Sequence, residues 1–129
     1  MLLWPALVAC SGNEESALLP PSQRSKVERA ARAGDLVAIK RLIAHHEAMP
    51  FEQAASERWR ERARDLGDAQ ELYFQAARKY VAAEVEMDDE TRYRLLLEAH
   101  HAAQRAQASR PERSTELLEQ QIARAIEAQ

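Results

Sequence analysis

From residue 36 onward, apolar side chains recur every three or four positions, the period that gathers them on one face of an α-helix. Leu36, Ile39, Leu42 and Ile43 form one stripe, and Ala55, Trp59, Ala63 and Leu66, with the aliphatic stem of Arg62, form another. Leu72, Tyr73, Ala76, Tyr80 and Val81 make a third. Two more follow, one of Leu95, Leu96, Leu97, Ala99, Ala102, Ala103 and Ala106, the other of Leu117, Leu118, Ile122, Ala125 and Ile126. No stretch alternates polar and apolar residues over six positions with β-branched or aromatic enrichment, so no strand is predicted.

Capping residues divide these stripes into six helices. Ser22 is the expected cap of the first, which runs to about Ala33 and stops at Gly34; Asp35 caps the second, which runs to Met49 before Pro50. A third covers about Phe51 to Leu66 and stops at Gly67, and Asp68 caps a fourth that reaches about Glu86. Asp88, Asp89 and Glu90 open the fifth, where negative charge suits the N-terminal dipole; it ends near Ser109. Pro111 is placed early in the sixth, which reaches the C-terminus. Composition agrees: after residue 12 glycine occurs only at 34 and 67, and strong helix formers dominate. The expected fold is all-α, a short α-solenoid of about six antiparallel helices in three pairs, because alanine-rich faces bury little singly and gain by stacking.

A repeat supports stacking. The segments "AARAGD" at 30–35 and "ARDLGD" at 63–68 place Gly34-Asp35 and Gly67-Asp68 33 residues apart, each Gly as a left-handed C-cap and each Asp as the next N-cap. Trp59, Ala63, Gly67, Ala69, Ala76 and Tyr80 fall on positions where this pattern resembles the Sel-one-like repeat, a relative of the tetratricopeptide repeat. Ala30, Gly34, Ala38 and Leu42 fit an incomplete preceding unit. The resemblance covers about residues 26 to 103 and departs at "VEMDDETRY", which lacks the family's Gly-rich loop. It implies a binding scaffold whose first helices, here one, three and five, line a shared surface. "AARAGDLVAIKRLI" also looks like the helix pair of an ankyrin repeat, but no Thr-Pro-Leu-His turn follows and Trp59 would have no place.

The N-terminus carries a different pattern. Leu2 to Ala9 are eight consecutive non-polar residues, too few to span a bilayer, and they end at Cys10, the only cysteine. Leu7, Val8, Ala9 and Cys10 resemble the lipobox of a bacterial lipoprotein signal, although no Lys or Arg precedes the apolar run. That resemblance implies residues 1–9 as signal, Cys10 as the acylated mature N-terminus, and Ser11 as favouring the outer membrane. Residues 10–21, with "SGNEES" and Pro20-Pro21, are expected to form a tether, leaving 22–129 as the helical domain.

Little in the chain suggests chemistry. His45-His46 and His100-His101 are adjacent pairs, which point about 100° apart on a helix and so offer one ligand per face. His46 would need Glu98 or His101 from another helix; half-exposed helix positions are the expected reading, with no metal and no cofactor. No phosphate loop, nucleophile elbow or second cysteine is present, so no catalytic residue is assigned and the protein is expected to be non-enzymatic. Charge is uneven about a net of −3: residues 22 to 46 carry six basic and two acidic side chains, a balance of +4, and 47 to 90 carry six and twelve, a balance of −6. The basic edge of the first helix, Arg24, Lys26, Arg29 and Arg32, suits a solvated face or acidic headgroups. An acidic chain without an aromatic-studded basic groove is not expected to bind nucleic acid.

The expected function is an envelope lipoprotein on the periplasmic face of the outer membrane that presents its scaffold to another envelope or secreted protein. The alternative is an immunity protein that neutralises a toxic effector in the periplasm. On the third helix, Gln53, Glu57, Arg60 and Arg64 lie opposite the Ala55, Trp59, Ala63 stripe and are the expected partner-binding residues, with Glu57–Arg60 and Glu61–Arg64 as i, i+3 pairs.

Overall fold

The structure, a computed structural model, describes residues 17–129. Cys10, the apolar run before it and most of the expected tether lie outside the described residues. Among the described residues there are six helices and no strand: α1 (Pro21–Arg32), α2 (Leu36–Ala48), α3 (Gln53–Asp65), α4 (Ala69–Val85), α5 (Asp89–Ser109) and α6 (Arg113–Glu127). The chain is all-α, and within each unit helices pack on their chain neighbours, α1 on α2, α4 on α5 and α5 on α6. It divides into two compact units, Met1–Ala63 and Arg64–Gln129.

In the first unit, α1 and α2 pack as an antiparallel pair joined only through Ala33, Gly34 and Asp35. Gly34 takes φ 93°; its N–H donates to the Ala31 carbonyl at 3.0 Å and the Asp35 N–H to that of Ala30 at 3.1 Å, so both orphan carbonyls of α1 are met. Asp35 then accepts from the N–H groups of Val37 and Ala38 at 3.0 and 3.3 Å, starting α2. The core gathers Leu19, Val27, Ala31, Ala38, Ile39, Leu42, Ile43 and Ala63, with Trp59 packed against it but only partly buried.

Two sequence expectations change here. Ser22 does not cap α1: the helix opens at Pro21, whose missing N–H and fixed φ suit a first position, and Pro20 before it has no side-chain acceptor to offer. Order also begins before the expected boundary, because Leu19 is buried in the core and its N–H donates to His45 Nδ1 at 3.0 Å.

The second unit packs α4 against α5 and α5 against α6, with α4 also touching α6. Its cluster is mostly alanine, namely Ala76, Ala99, Ala102 and Ala103, around Ile122, with Tyr80, Leu118 and Ile126 at the edge. Small side chains let helix backbones approach, and Leu72, Leu96, Ala83 and Ala106 extend the buried face. Val81, Leu97 and Leu117, expected in the stripes, are exposed, as is Leu66 in the turn after α3. Asp68 and Asp88 cap α4 and α5 as expected, accepting from Glu71 N–H at 3.1 Å and Thr91 N–H at 2.9 Å. Pro111 lies outside α6, which starts at Arg113 after an extended Glu112. The turn after α3 receives two donors from α5: Arg105 Nη2 reaches the Arg64 carbonyl at 3.0 Å and Ser109 Oγ the Gly67 carbonyl at 2.6 Å.

Candidate binding cleft

Among the described residues of the first unit, α1 and α3 flank an open cleft of about 720 Å³. One wall is the row Arg24, Glu28, Arg32, spaced by one helical turn along α1; the other is Ala55, Arg58, Trp59, Arg62, a single face of α3. His46 of α2 and Glu52, just before α3, complete it. Four guanidinium groups against two carboxylates leave an excess of positive charge.

The two walls use their charges differently. On α1, Glu28 accepts from Arg24 Nε at 3.1 Å and lies 4.0 Å from Arg32 Nη2, so one carboxylate serves two cations. On α3, neither Arg58 nor Arg62 makes a hydrogen bond or ion pair among the described residues. Glu61, three positions beyond Arg58, is exposed and does not engage it. Two like charges at i, i+4 repel by a few tenths of a kcal/mol, a cost that nothing in the first unit returns.

The floor is His46, with His45 beside it on α2. His45 and His46 are both 5% exposed, against the half-exposed placement expected, and their rings meet edge-on with centroids 5.2 Å apart. His45 Nδ1 accepts the Leu19 N–H, which puts the ring proton on Nε2, a buried atom with no hydrogen-bond partner. Burial first, and the Arg24 guanidinium second, hold the His45 pKa below the ordinary histidine value. His46 Nδ1 lies 3.4 Å from Glu52 Oε1, close enough for charge attraction, yet it makes no hydrogen bond. A buried ring nitrogen with unused hydrogen-bonding capacity therefore belongs to the cleft lining.

Beside the cleft, Phe51 is 95% exposed and has φ 65°, the left-handed region in which a bulky residue is strained. It follows Pro50 in the turn to α3, at a position where φ above zero favours glycine.

Of the residues expected to meet a partner, Gln53 and Glu57 are exposed on α3, whereas Arg60 is partly buried and Arg64 buried. Arg60 is turned toward α2, where its guanidinium pairs with Glu47 and its side chain is only 17% exposed. Arg64 is 9% exposed and its carbonyl is held by Arg105, so it offers no open fork to a ligand. Glu61 does not pair with Arg64. The phase of α3 is thus rotated from the expected one: Ser56 and Ala63 are buried, while Ala55 and Trp59, expected in the core, line the cleft with Arg58 and Arg62. The i, i+3, i+4, i+7 spacing of 55, 58, 59 and 62 carried this face in the sequence, with Arg62 counted only for its stem.

For metal, no group of three or more His, Cys, Asp or Glu side chains converges among the described residues. His46 belongs to the first unit and Glu98 and His101 to the second. His101 is exposed, and His100 Nε2 lies 4.0 Å from Glu119. Among the described residues no helix is long and apolar enough to cross a membrane. Comparison of the chain with protein-family models, with curated proteins and with solved structures finds no match.

Proposed function

We propose that this chain is a non-enzymatic bacterial envelope lipoprotein that presents a helix-lined face to another envelope or secreted protein. The observation that carries the binding reading is the cleft between α1 and α3, where Arg58 and Arg62 stand without internal partners beside a part-exposed Trp59. Arginine and tryptophan are the side chains that most often dominate protein interfaces, and a surface that leaves both available has more to gain from a partner than from solvent. The expectation that first helices share a binding surface points to the same wall, with Arg58 and Arg62 in place of Arg60 and Arg64. Anchoring rests on the sequence "LVAC" at 7–10, with Cys10 as the acylated residue and the periplasmic face of the outer membrane as the location.

The test has two arms on the native gene. Mass spectrometry of the mature protein should find acyl mass on Cys10 that is lost in Cys10→Ser; an unmodified thiol on a chain retaining Met1 refutes the anchor. Affinity capture from the envelope should recover a partner that Arg58→Glu/Arg62→Glu loses while its circular dichroism stays helical. Undiminished recovery refutes the cleft as the binding face. Capture of a secreted toxin would identify the protein as its antidote.

A further inference from the structure

We propose that the cleft between α1 and α3 takes an extended acidic protein segment, with carboxylates at alternate positions on Arg58 and Arg62. This rests on the reading of the cleft as a protein-binding face and adds the chemistry of what enters it.

Spacing argues for this occupant. Arg58 and Arg62 are one helical turn apart, a rise of about 6 Å along α3. Carboxylates two residues apart on an extended chain are separated by about 6.6 Å, so one such chain lying along α3 presents an acid to each guanidinium. Each can then form a planar two-point contact, the geometry for which arginine is suited and lysine is not. The residues in between need not be charged, because on an extended chain they face away from α3.

Charge argues the same way. The cleft carries four arginines and two glutamates, and Glu28 already serves Arg24 and Arg32, so the positive excess is concentrated on the α3 wall. At the floor, the His46 Nδ1 has no hydrogen bond although the side chain is only 7% exposed. A basic or neutral segment would leave Arg58 and Arg62 desolvated and uncompensated, which disfavours both.

The experiment titrates the full chain against a short fluorescein-labelled, amidated peptide alternating glutamate and leucine, read by fluorescence anisotropy. Saturable binding is expected, weakened at least about tenfold in Arg58→Gln/Arg62→Gln and by a similar factor when glutamine replaces glutamate in the peptide, since charge-assisted contacts are lost. Helicity of the variant is checked by circular dichroism, and single Arg58→Lys and Arg62→Lys variants, which keep the charge, should fall between wild type and the double variant. Equal binding of the glutamine peptide, or of the double variant, overturns the proposal. Displacement by inorganic phosphate beyond that by chloride of equal ionic strength overturns it in favour of a small-anion site. If the acidic peptide fails to bind while charge reversal still abolishes capture of the native partner, the cleft remains the binding face and only its assigned ligand chemistry falls. If charge reversal also leaves capture unchanged, the binding face itself is wrong.

Discussion

The two units are built from the same helical material and solve opposite problems. In the second, alanines at the crossings bring α4, α5 and α6 together, and charges at the crossings find internal partners: Lys79 Nζ meets Glu98 at 2.6 Å, Arg92 donates to Asp89, to Gln129 at 2.8 Å and to the Glu86 carbonyl at 3.0 Å. In the first, the core is made of larger aliphatic residues, two histidines are buried with ring nitrogens unmatched, and a cleft keeps two arginines unengaged. Among the described residues each unit holds two buried side-chain atoms without a hydrogen bond, and in the first unit one of them, His46 Nδ1, belongs to a residue lining the arginine-rich cleft.

The contrast can be broken most forcefully in the cores. Leu42 and Ile122 are both fully buried, and Leu42→Ala or Ile122→Ala should each lower stability by about 2–5 kcal/mol, measured by urea unfolding. Adding volume separates the units: Ala103→Leu forces apart a crossing built on small residues and should cost about 1–3 kcal/mol. Tolerance of that leucine would show that the second unit is loosely packed. Trp59→Ala should cost less than the roughly 3–5 kcal/mol of a fully buried aromatic, because part of the ring faces the cleft.

Acid sharpens the comparison further. His45 has its folded pKa depressed, so the unfolded chain binds the proton more readily; its contribution to stability is complete above the ordinary histidine pKa of about 6.5 and is lost as pH falls from there through the folded value. Protonation at Nδ1 would also remove the acceptor of the Leu19 N–H. In the second unit Asp88 is held below its usual range by hydrogen bonds from Thr91, so its contribution is present at neutral pH and fades only in the carboxylate range. Urea midpoints followed downward from neutral pH should therefore fall already in the histidine range, and His45→Phe should flatten that portion while lowering stability at neutral pH by about 1–3 kcal/mol, the cost of an unpaired buried N–H. An unchanged pH profile in that variant would refute the role of His45.

The smallest effects concern the turns. Gly67 has φ 82° and open space where a Cβ would stand, so Gly67→Val should cost about 1–2 kcal/mol from backbone strain alone. Phe51→Gly should do the reverse and raise stability by up to about 1 kcal/mol, relief of the strained φ being offset in part by glycine's greater chain entropy. A loss of stability there would mean that Phe51 is held by contacts of its own.

Where the sequence was legible, the information was local. Asp35, Asp68 and Asp88 announce their helices because a short acceptor beside free N–H groups has one good conformation, and Gly34 and Gly67 announce stops because few other residues accept their φ. Ser22 misled because Pro21 starts a helix without any side-chain cap. The phase of α3 was hidden for a different reason. Its apolar residues are few, so an indole and an arginine stem weigh heavily in a stripe, yet the helix turns Ser56 and Ala63 inward and leaves Trp59 at the edge. Nothing in the spacing revealed that Glu47 would take Arg60, or that His45 would accept a bond from a residue 26 positions earlier. Those pairings depend on which helices meet, and the site inherits that dependence.

The bonds from Arg105 and Ser109 to the turn after α3 set an order of events. Their carbonyl acceptors, Arg64 and Gly67, precede them by 41 and 42 residues, so a chain emerging from the ribosome completes that turn locally and receives its outer donors only after nearly all of α5 has been made. The second unit is thereby committed late, with α5 as the piece that fastens it.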